Sequence, residues 1–133
     1  TYINDSIATA PERLVAALRS FDDPLVLLLG GADKDLPWQE AVHLALQKAH
    51  HIVLFGKEGD KQVRTKVMRM LRLMGADQRH VTCVDTLDQA VARAREVAEV
   101  GDVVLLSPGG TSYDAYPDFA ERGEHFRKIV SKL

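Results

Sequence analysis

Residues 24–35 read PLVLLLGGADKD, an apolar run that ends in two glycines and a charged loop. Because every residue from 25 to 29 is apolar, the run is typical of a strand buried on both faces, as in a parallel sheet. Two further apolar runs lead into unusual loops, NDSIATAPE at residues 4–12 and SPGGTSYD at residues 107–114. Loops that leave the carboxyl ends of parallel strands line the ligand crevice of an open α/β sheet. The hydroxyls, lysine and paired glycines of these loops are suited to holding a small anion.

Apolar runs alternate with helical spacing along the whole chain, which predicts βα units on a parallel sheet. Strands are expected at residues 2–4, 24–30, 51–55, 80–84 and 102–106. Thr9 and Glu12 have capping-box spacing, which predicts the start of the first helix. Later helices are expected to cover residues 37–49, 63–74, 86–100 and 119–133. The sequence therefore predicts one Rossmann-like, three-layer α/β domain over residues 1–133, with a mostly parallel sheet and helices on both faces. The strand order stays open.

Composition and charge exclude several classes of protein. The 133 residues are 46% hydrophobic and 27% charged, which is typical of a globular domain and not of a disordered or membrane protein. The net charge of -2 gives no bulk attraction to nucleic acid or to an anionic membrane, and we expect neither as a partner. The single cysteine, Cys83, lies in an apolar run and predicts a buried, inert thiol in a cytoplasmic protein. The chain has no initiator methionine, which we interpret as a domain taken from a longer protein.

Four polar residues of the loops are candidates for ligand binding. Lys34 follows the paired glycines, where a mobile ammonium suits a carboxylate or phosphate oxygen. Ser112 lies among small polar residues after the last strand, a density that favours binding over simple helix capping. Thr9 is also a strong N-cap candidate, and Asp5 could accept a hydrogen bond from a ribose hydroxyl.

Other patterns argue against alternative chemistries. The chain has no P-loop, no dinucleotide fingerprint and no nucleophile elbow. The five histidines lack metal-ligand spacing, so no metal site is expected from this domain alone. The basic residues between positions 61 and 72 are interpreted as the solvated face of a helix, since interleaved aromatic residues are absent.

Three segments, in this order along the chain, resemble the C-terminal domain of the Mur ligases. They are NDSIAT at residues 4–9, LLGGADK at residues 28–34, and LLSP at residues 105–108 followed by Ser112, Asp114, Phe119, the run ERG at 121–123, and Phe126. The resemblance covers essentially the whole chain.

The resemblance implies an ATP-dependent ligase of peptidoglycan synthesis that adds D-glutamate to UDP-N-acetylmuramoyl-L-alanine through an acyl phosphate. It implies that a central domain of the same chain binds most of the ATP and Mg2+, and that an N-terminal domain binds the UDP-sugar. By the same resemblance, Thr9, Lys34, Ser112 and the backbone around Phe119 clamp the D-glutamate carboxylates, and Asp5 contacts the ATP ribose. We expect no catalytic residue in this domain alone, and a monomer that closes over ATP.

Two departures from the family pattern are visible, and two alternatives stay open. Ile7 stands where the family often has lysine, and GGT at residues 109–111 replaces the more usual Ala-Cys-Ala, which is expected to loosen that loop. One alternative is another Mur-type or folylpolyglutamate-type ligase domain. The other is an α/β module that binds a ligand without catalysis.

Overall fold

Strands and helices alternate along the chain, as the apolar pattern predicts. The structure, a computed structural model, describes residues 1–112 and 115–133. The elements are β1 (Tyr2–Asn4), α1 (Pro11–Arg19), β2 (Leu25–Gly30), α2 (Gln39–Lys48), β3 (Ala49–Phe55), α3 (Val63–Leu73), a 3-10 turn (Gln78–His80), β4 (Val81–Cys83), α4 (Leu87–Val97), β5 (Val103–Gly109) and α5 (Phe119–Ser131). Among the described residues, no helix is both long and apolar enough to cross a membrane.

The strands form one parallel sheet in the order β1-β5-β2-β3-β4. β2 lies in the centre between β5 and β3, and all six of its residues are buried, which explains why its sequence is uniformly apolar. β1, β5 and β2 are adjacent and parallel. The three loops that the sequence singles out therefore leave the same edge of the sheet, side by side.

Helices cover both faces of the sheet. The core that contains Leu27 and Leu29 of β2 packs against α1, α2 and α3. The core that contains Val26 and Leu28 of the same strand packs against α4 and α5. The predicted three-layer α/β fold is confirmed.

The predicted capping box at Thr9 and Glu12 is wrong. α1 begins at Pro11, and Ala10, which occupies the N-cap position, makes no side-chain cap. A proline in the first turn has no N–H to satisfy, which lowers the need for a cap there. The Thr9 hydroxyl instead accepts a hydrogen bond from Lys34.

The prediction of a buried Cys83 is also wrong, because its thiol is exposed. β4 is an edge strand that pairs only with β3 within the described chain, and Cys83 lines an open groove beside α3. A short apolar run looks the same in the sequence whether its strand is central or at the edge, so burial could not be inferred from it.

Candidate functional site

The carboxyl edge of the sheet brings Thr9 and Lys34 together. Lys34 Nζ donates a hydrogen bond to Thr9 Oγ1 at 3.2 Å, which joins the loop after β1 to the loop after β2. Lys34 is exposed, and within the described chain Thr9 is the one hydrogen-bond partner of its ammonium. An ammonium carries three N–H donors, so two of them remain available to a ligand.

Two other lysines have a structural role, because each ammonium group donates two hydrogen bonds to the scaffold. Lys48 Nζ donates to the carbonyls of Leu18 and Phe21 at 2.6 and 2.7 Å, at the end of α1. Lys66 Nζ donates to Asp33 Oδ2 and to a backbone carbonyl, each at 3.0 Å. Their partners are part of the scaffold, whereas the one hydrogen bond of Lys34 to a described residue is with the half-buried side chain of Thr9.

The loop that carries Lys34 is held firmly by its neighbour Asp33, whose side chain is 5% exposed. One carboxylate oxygen of Asp33 accepts from Trp38 Nε1 and the other from Lys66 Nζ, each at 3.0 Å. Asp35, on the other side of Lys34, has a left-handed backbone with φ of 62°, a conformation that aspartate tolerates better than most residues. The backbone on both sides of Lys34 is therefore fixed while its side chain stays at the surface.

Asp5 lies at the same edge with one oxygen already engaged. Asp5 Oδ2 accepts a hydrogen bond from Ser107 Oγ at 2.8 Å, and the Asp5 amide donates to the carbonyl of Leu106 at 2.7 Å. Ser107 is completely buried in β5, so it orients the carboxylate from beneath. No described residue donates to the other oxygen of Asp5, which leaves an acceptor that a ligand hydroxyl could reach.

The loops are tied together by Arg122, a residue of α5 that is only 1% exposed. Arg122 Nε donates to Ser6 Oγ at 2.9 Å and Nη2 to the Ser6 carbonyl at 2.8 Å, while Nη1 donates to the Gly110 carbonyl at 3.0 Å. The planar fork of the guanidinium is suited to such divergent contacts with several acceptors. Arg122 therefore joins the loop after β1 to the loop after β5.

The sequence does not predict this role of Arg122, which is noted there only as the arginine of the ERG run at residues 121–123. The following Gly123 offers a signal that could have found it. A Cβ at Gly123 would lie 3.1–3.3 Å from side-chain atoms of Asn4 and Ser6, and Asn4 Nδ2 donates to the Gly123 carbonyl at 3.1 Å. A glycine inside a helix marks a close approach to another segment, and the arginine beside it reaches that segment.

Gly109, the last residue of β5, and Gly110 tighten the loop that follows, so the expectation that they loosen it is wrong. Gly109 and Gly110 are buried, and Thr111 forms backbone hydrogen bonds of 2.9 Å with Ala32 in both directions. A Cβ at Gly110 would lie 2.6 Å from a Val63 methyl and 2.8–2.9 Å from two carbonyl oxygens. The absence of side chains lets the loops after β5 and β2 pack directly against one another.

Ser112 does not hydrogen-bond to Lys34 or Thr9. It is 3% exposed and lines a cavity of about 290 Å³ that lies at the same sheet edge, on the side of α4 and α5. The cavity also contacts Gly31, Phe55, Thr86, Tyr116, Arg122 and His125, among others. The structure thus brings Thr9 and Lys34 together and places Ser112 in a neighbouring pocket.

Phe119 begins α5 and is 41% exposed. Its carbonyl accepts a hydrogen bond from Ser6 Oγ at 2.7 Å, so this backbone group is engaged within the domain. The hydroxyl of Ser6 therefore links Phe119 to Arg122. Asp114, which belongs to the family pattern, lies outside the described residues.

The basic helix face is only partly solvated. Arg64 has a side chain that is 12% exposed and donates to the carbonyls of Gly56 and Val84 and to Asp85 Oδ1, at 2.8–3.0 Å. Arg69 and Arg72 are exposed, as expected. The described residues include no group of three or more His, Cys, Asp and Glu side chains that could hold a metal ion.

Comparison with known proteins gives consistent results. Residues 1–110 match the family described as Mur ligase, glutamate ligase domain. The UDP-N-acetylmuramoylalanine--D-glutamate ligase of Roseiflexus sp. (strain RS-1) is 43% identical over 132 residues, which is 99% of this chain. The ligase of the same name from Clostridium botulinum (strain Okra / Type B1) is 35% identical over the same length. The chain spans 28% of the length of each of these relatives.

A solved structure shows the same fold. E. coli FolC in complex with ADP, without folate substrate, superposes with a TM-score of 0.58 over 94% of this chain and 28% of that chain, at 16% sequence identity. At this identity the likeness concerns the fold alone. The family match and the two relatives carry the assignment, and the chain belongs to the Mur ligase family as a glutamate ligase domain.

Proposed function

We propose that this chain is the domain that positions D-glutamate and closes over ATP in an ATP-dependent ligase, which joins D-glutamate to UDP-N-acetylmuramoyl-L-alanine. The observation that carries the proposal is the Lys34 ammonium beside the Thr9 hydroxyl at the carboxyl edge, with two N–H donors available. The two relatives are named for this reaction, and the chain aligns with 28% of the length of each.

The chemistry needs the substrate amine near an activated carboxylate. Phosphoryl transfer from ATP to the alanyl carboxylate gives an acyl phosphate and ADP. The D-glutamate amine attacks the acyl carbon, phosphate leaves, and the amine releases a proton. A domain that holds both D-glutamate carboxylates supplies catalysis by positioning the amine, and its closure excludes the water that would hydrolyse the acyl phosphate.

Named residues divide the binding task. Lys34 and Thr9 supply a cation and a hydroxyl for one carboxylate, which are among the stronger donors for such a group. The Ser112 hydroxyl and the backbone amide of Phe119, which has no partner within the helix at the first position of α5, supply donors for the other end of the amino acid. Asp5, oriented by Ser107, accepts from a ribose hydroxyl of ATP.

Mg2+ and the ATP phosphates are proposed to bind mainly outside this domain. The Mg2+ ion would neutralise charge on the transferred phosphoryl group. The described residues fit a role at the ribose, where Asp5 offers one oxygen, and provide no cluster of acidic ligands for the ion. We propose a monomeric protein in the cytoplasm, where a single unpaired cysteine stays reduced.

The test measures ADP release by the full-length ligase with UDP-N-acetylmuramoyl-L-alanine and a panel of amino acids. Release that depends on D-glutamate supports the proposal. Dependence on another amino acid would retain a ligase and reassign the pocket, and release with none of them would favour a non-catalytic binding module.

Residue roles are tested by Lys34→Ala in the same enzyme. A hydrogen bond between charged groups contributes about 1.5–3 kcal/mol, so the KM for D-glutamate should rise about 10- to 100-fold. The KM for ATP should change less than about twofold, because Lys34 faces the amino acid. Lys128→Ala removes an exposed lysine of α5 and serves as the matched control. Unchanged D-glutamate kinetics in Lys34→Ala would contradict the assignment.

A further inference from the structure

Three polar side chains from three segments meet at the rim of the Ser112 cavity. Tyr116 Oη and His125 Nδ1 are 2.5 Å apart, and His125 Nε2 lies 3.1 Å from Asp88 Oδ1. The tyrosine and histidine rings are tilted by 51° with centroids 5.6 Å apart. Tyr116 follows β5, His125 belongs to α5, and Asp88 lies in the first turn of α4.

The arrangement gives each group a definite role. A carboxylate can only accept, so Asp88 favours a proton on the nearer nitrogen, Nε2 of His125. The other nitrogen, Nδ1, then accepts a hydrogen bond from the Tyr116 hydroxyl. The contacts run in one direction from Tyr116 through His125 to Asp88.

The position of Asp88 is fixed by the capping box at the start of α4. Thr86 Oγ1 accepts from the Gln89 amide at 3.2 Å, and Gln89 Oε1 accepts from the Thr86 amide at 3.2 Å. This reciprocal capping box fixes the first helical turn. The side chain of Asp88 is itself 63% exposed, so its position depends on the helix rather than on burial.

The other end of the series reaches Ser112 directly. The Tyr116 amide donates to the Ser112 carbonyl at 2.7 Å, and the Ala115 amide donates to the same oxygen at 3.0 Å. The Tyr116 ring also packs, partly buried, against the core beneath α4 and α5. A displacement of Tyr116 would therefore be transmitted to Ser112 through one short backbone hydrogen bond.

We propose that Tyr116, His125 and Asp88 are positioning residues that hold Ser112 in place for D-glutamate. They act through Ser112 and do not contact the substrate. The inference rests on the proposed function, and it adds that Asp88 of α4 and His125 of α5, which are not among the proposed D-glutamate-binding residues, control the affinity for D-glutamate.

The first test is Tyr116→Phe in the full-length ligase, which removes the hydroxyl and retains the ring. Loss of one hydrogen bond that orders Ser112 should raise the KM for D-glutamate about 3- to 10-fold. The KM for ATP should stay within about twofold. Tyr2→Phe is the matched control, because no described residue hydrogen-bonds to the Tyr2 hydroxyl and the residue lies in β1.

A double-mutant comparison tests whether the three residues act as one unit. His125→Leu alone should have about the effect of Tyr116→Phe, and the two changes together should have little more than either one. Additive effects, or an equal rise in the KM for ATP, would overturn the proposal and indicate a general structural role.

Amide exchange separates this inference from the proposed function. Tyr116→Phe and His125→Leu should each accelerate hydrogen–deuterium exchange at the amide of residue 116, which donates to Ser112, while the Gln89 amide in α4 stays protected. Unaltered exchange at residue 116 would overturn the positioning role even if the enzyme proved to use another amino acid. Faster exchange in an enzyme that does not use D-glutamate would retain the role and reject the substrate.

Discussion

The two edges of the sheet use polar residues in opposite ways. At the amino edge, His50 pairs with Asp102, whose Oδ2 also accepts from the Glu99 amide at 2.7 Å. His51, which is 3% exposed, contacts Thr82 Oγ1 at 2.8 Å. These polar groups satisfy one another and hold the sheet edge together.

At the carboxyl edge, by contrast, buried groups join the loops, and the exposed Lys34 and half-buried Asp5 have hydrogen-bonding groups that no described residue occupies. Arg122 contacts Ser6 and Gly110 from below, while Lys34 and Asp5 keep donors and an acceptor at the surface. A rigid lower layer and an available upper layer are what a binding site requires. The comparison indicates that a candidate binding site is better recognised by polar groups with unused hydrogen-bond donors or acceptors than by the number of polar groups.

The largest effect is expected from Arg122→Met, which tests the lower layer of the carboxyl edge. The change leaves Ser6 and the Gly110 carbonyl without their buried donor, and the domain should lose about 3–5 kcal/mol of unfolding free energy. Urea denaturation measures this loss. Arg127→Met, an exposed arginine on the same helix, should change stability by less than about 0.5 kcal/mol. Equal effects of the two changes would show that Arg122 does not hold the loops.

A smaller effect is expected from Gly110→Ala, which tests the close packing of the loops after β5 and β2. The added methyl would lie within 3.0 Å of Val63 and of two backbone carbonyls, so overpacking should cost about 1–3 kcal/mol. Gly101→Ala is a suitable comparison, because its Cβ would meet nothing within 4 Å and only its φ of 93° would be strained. Denaturation of both variants separates steric from conformational cost. A Gly110→Ala protein as stable as the parent would contradict the packing described for this loop.

The smallest effect for a single step concerns the amino edge, where stability changes by at most about 1.4 kcal/mol for each pH unit. Burial, together with the charges of Arg93, His50 and His80, lowers the pKa of His51 to about 4 from 6.5. Between these values the unfolded chain binds more protons than the folded one, so stability rises with pH, and falls as the medium is acidified from about 6.5 to 4. The contribution of one group is at most about 1.4 kcal/mol per pH unit.

His51→Gln removes the titration and retains a side chain able to hydrogen-bond to Thr82. Unfolding free energies at pH 7, about 5.5 and about 4.5 should show a shallower slope in this variant. His43→Gln, at an exposed helix position, should retain the parent slope. An identical slope in all three proteins would mean that His51 does not couple stability to pH.

Sequence patterns predicted the element types and the three-layer fold because apolar periodicity reports which faces are buried. They could not predict that β1 pairs with β5, since strand order depends on which faces pack and not on local spacing. The same limit explains why Cys83 is exposed and not buried as predicted, since the apolar run around it is equally consistent with a central strand.

Of the candidate site, the loops and the residues Lys34, Thr9 and Asp5 are visible in the sequence, because their composition is unusual after apolar runs. Arg122 is hidden, because an arginine on a helix is most often exposed and only the tertiary structure reveals its burial. The spacing of Thr9 and Glu12 predicts a capping role for Thr9, but α1 begins one residue after Ala10, and the Thr9 hydroxyl accepts a hydrogen bond from Lys34 instead. The roles of these residues in binding D-glutamate stay a prediction.

The contact between Arg122 and Ser6 joins residues 116 positions apart in the sequence. During synthesis on the ribosome, the loop after β1 emerges before α5, so its contacts with Arg122 form only after α5 has been made. Contacts of such long range are slow to form, since a large loop must close before they are rewarded. A nascent chain that stops short of α5 would therefore lack the Arg122 contacts that join the loop after β1 to the Gly110 carbonyl after β5, and the geometry of these two loops is completed only by the last helix of the domain.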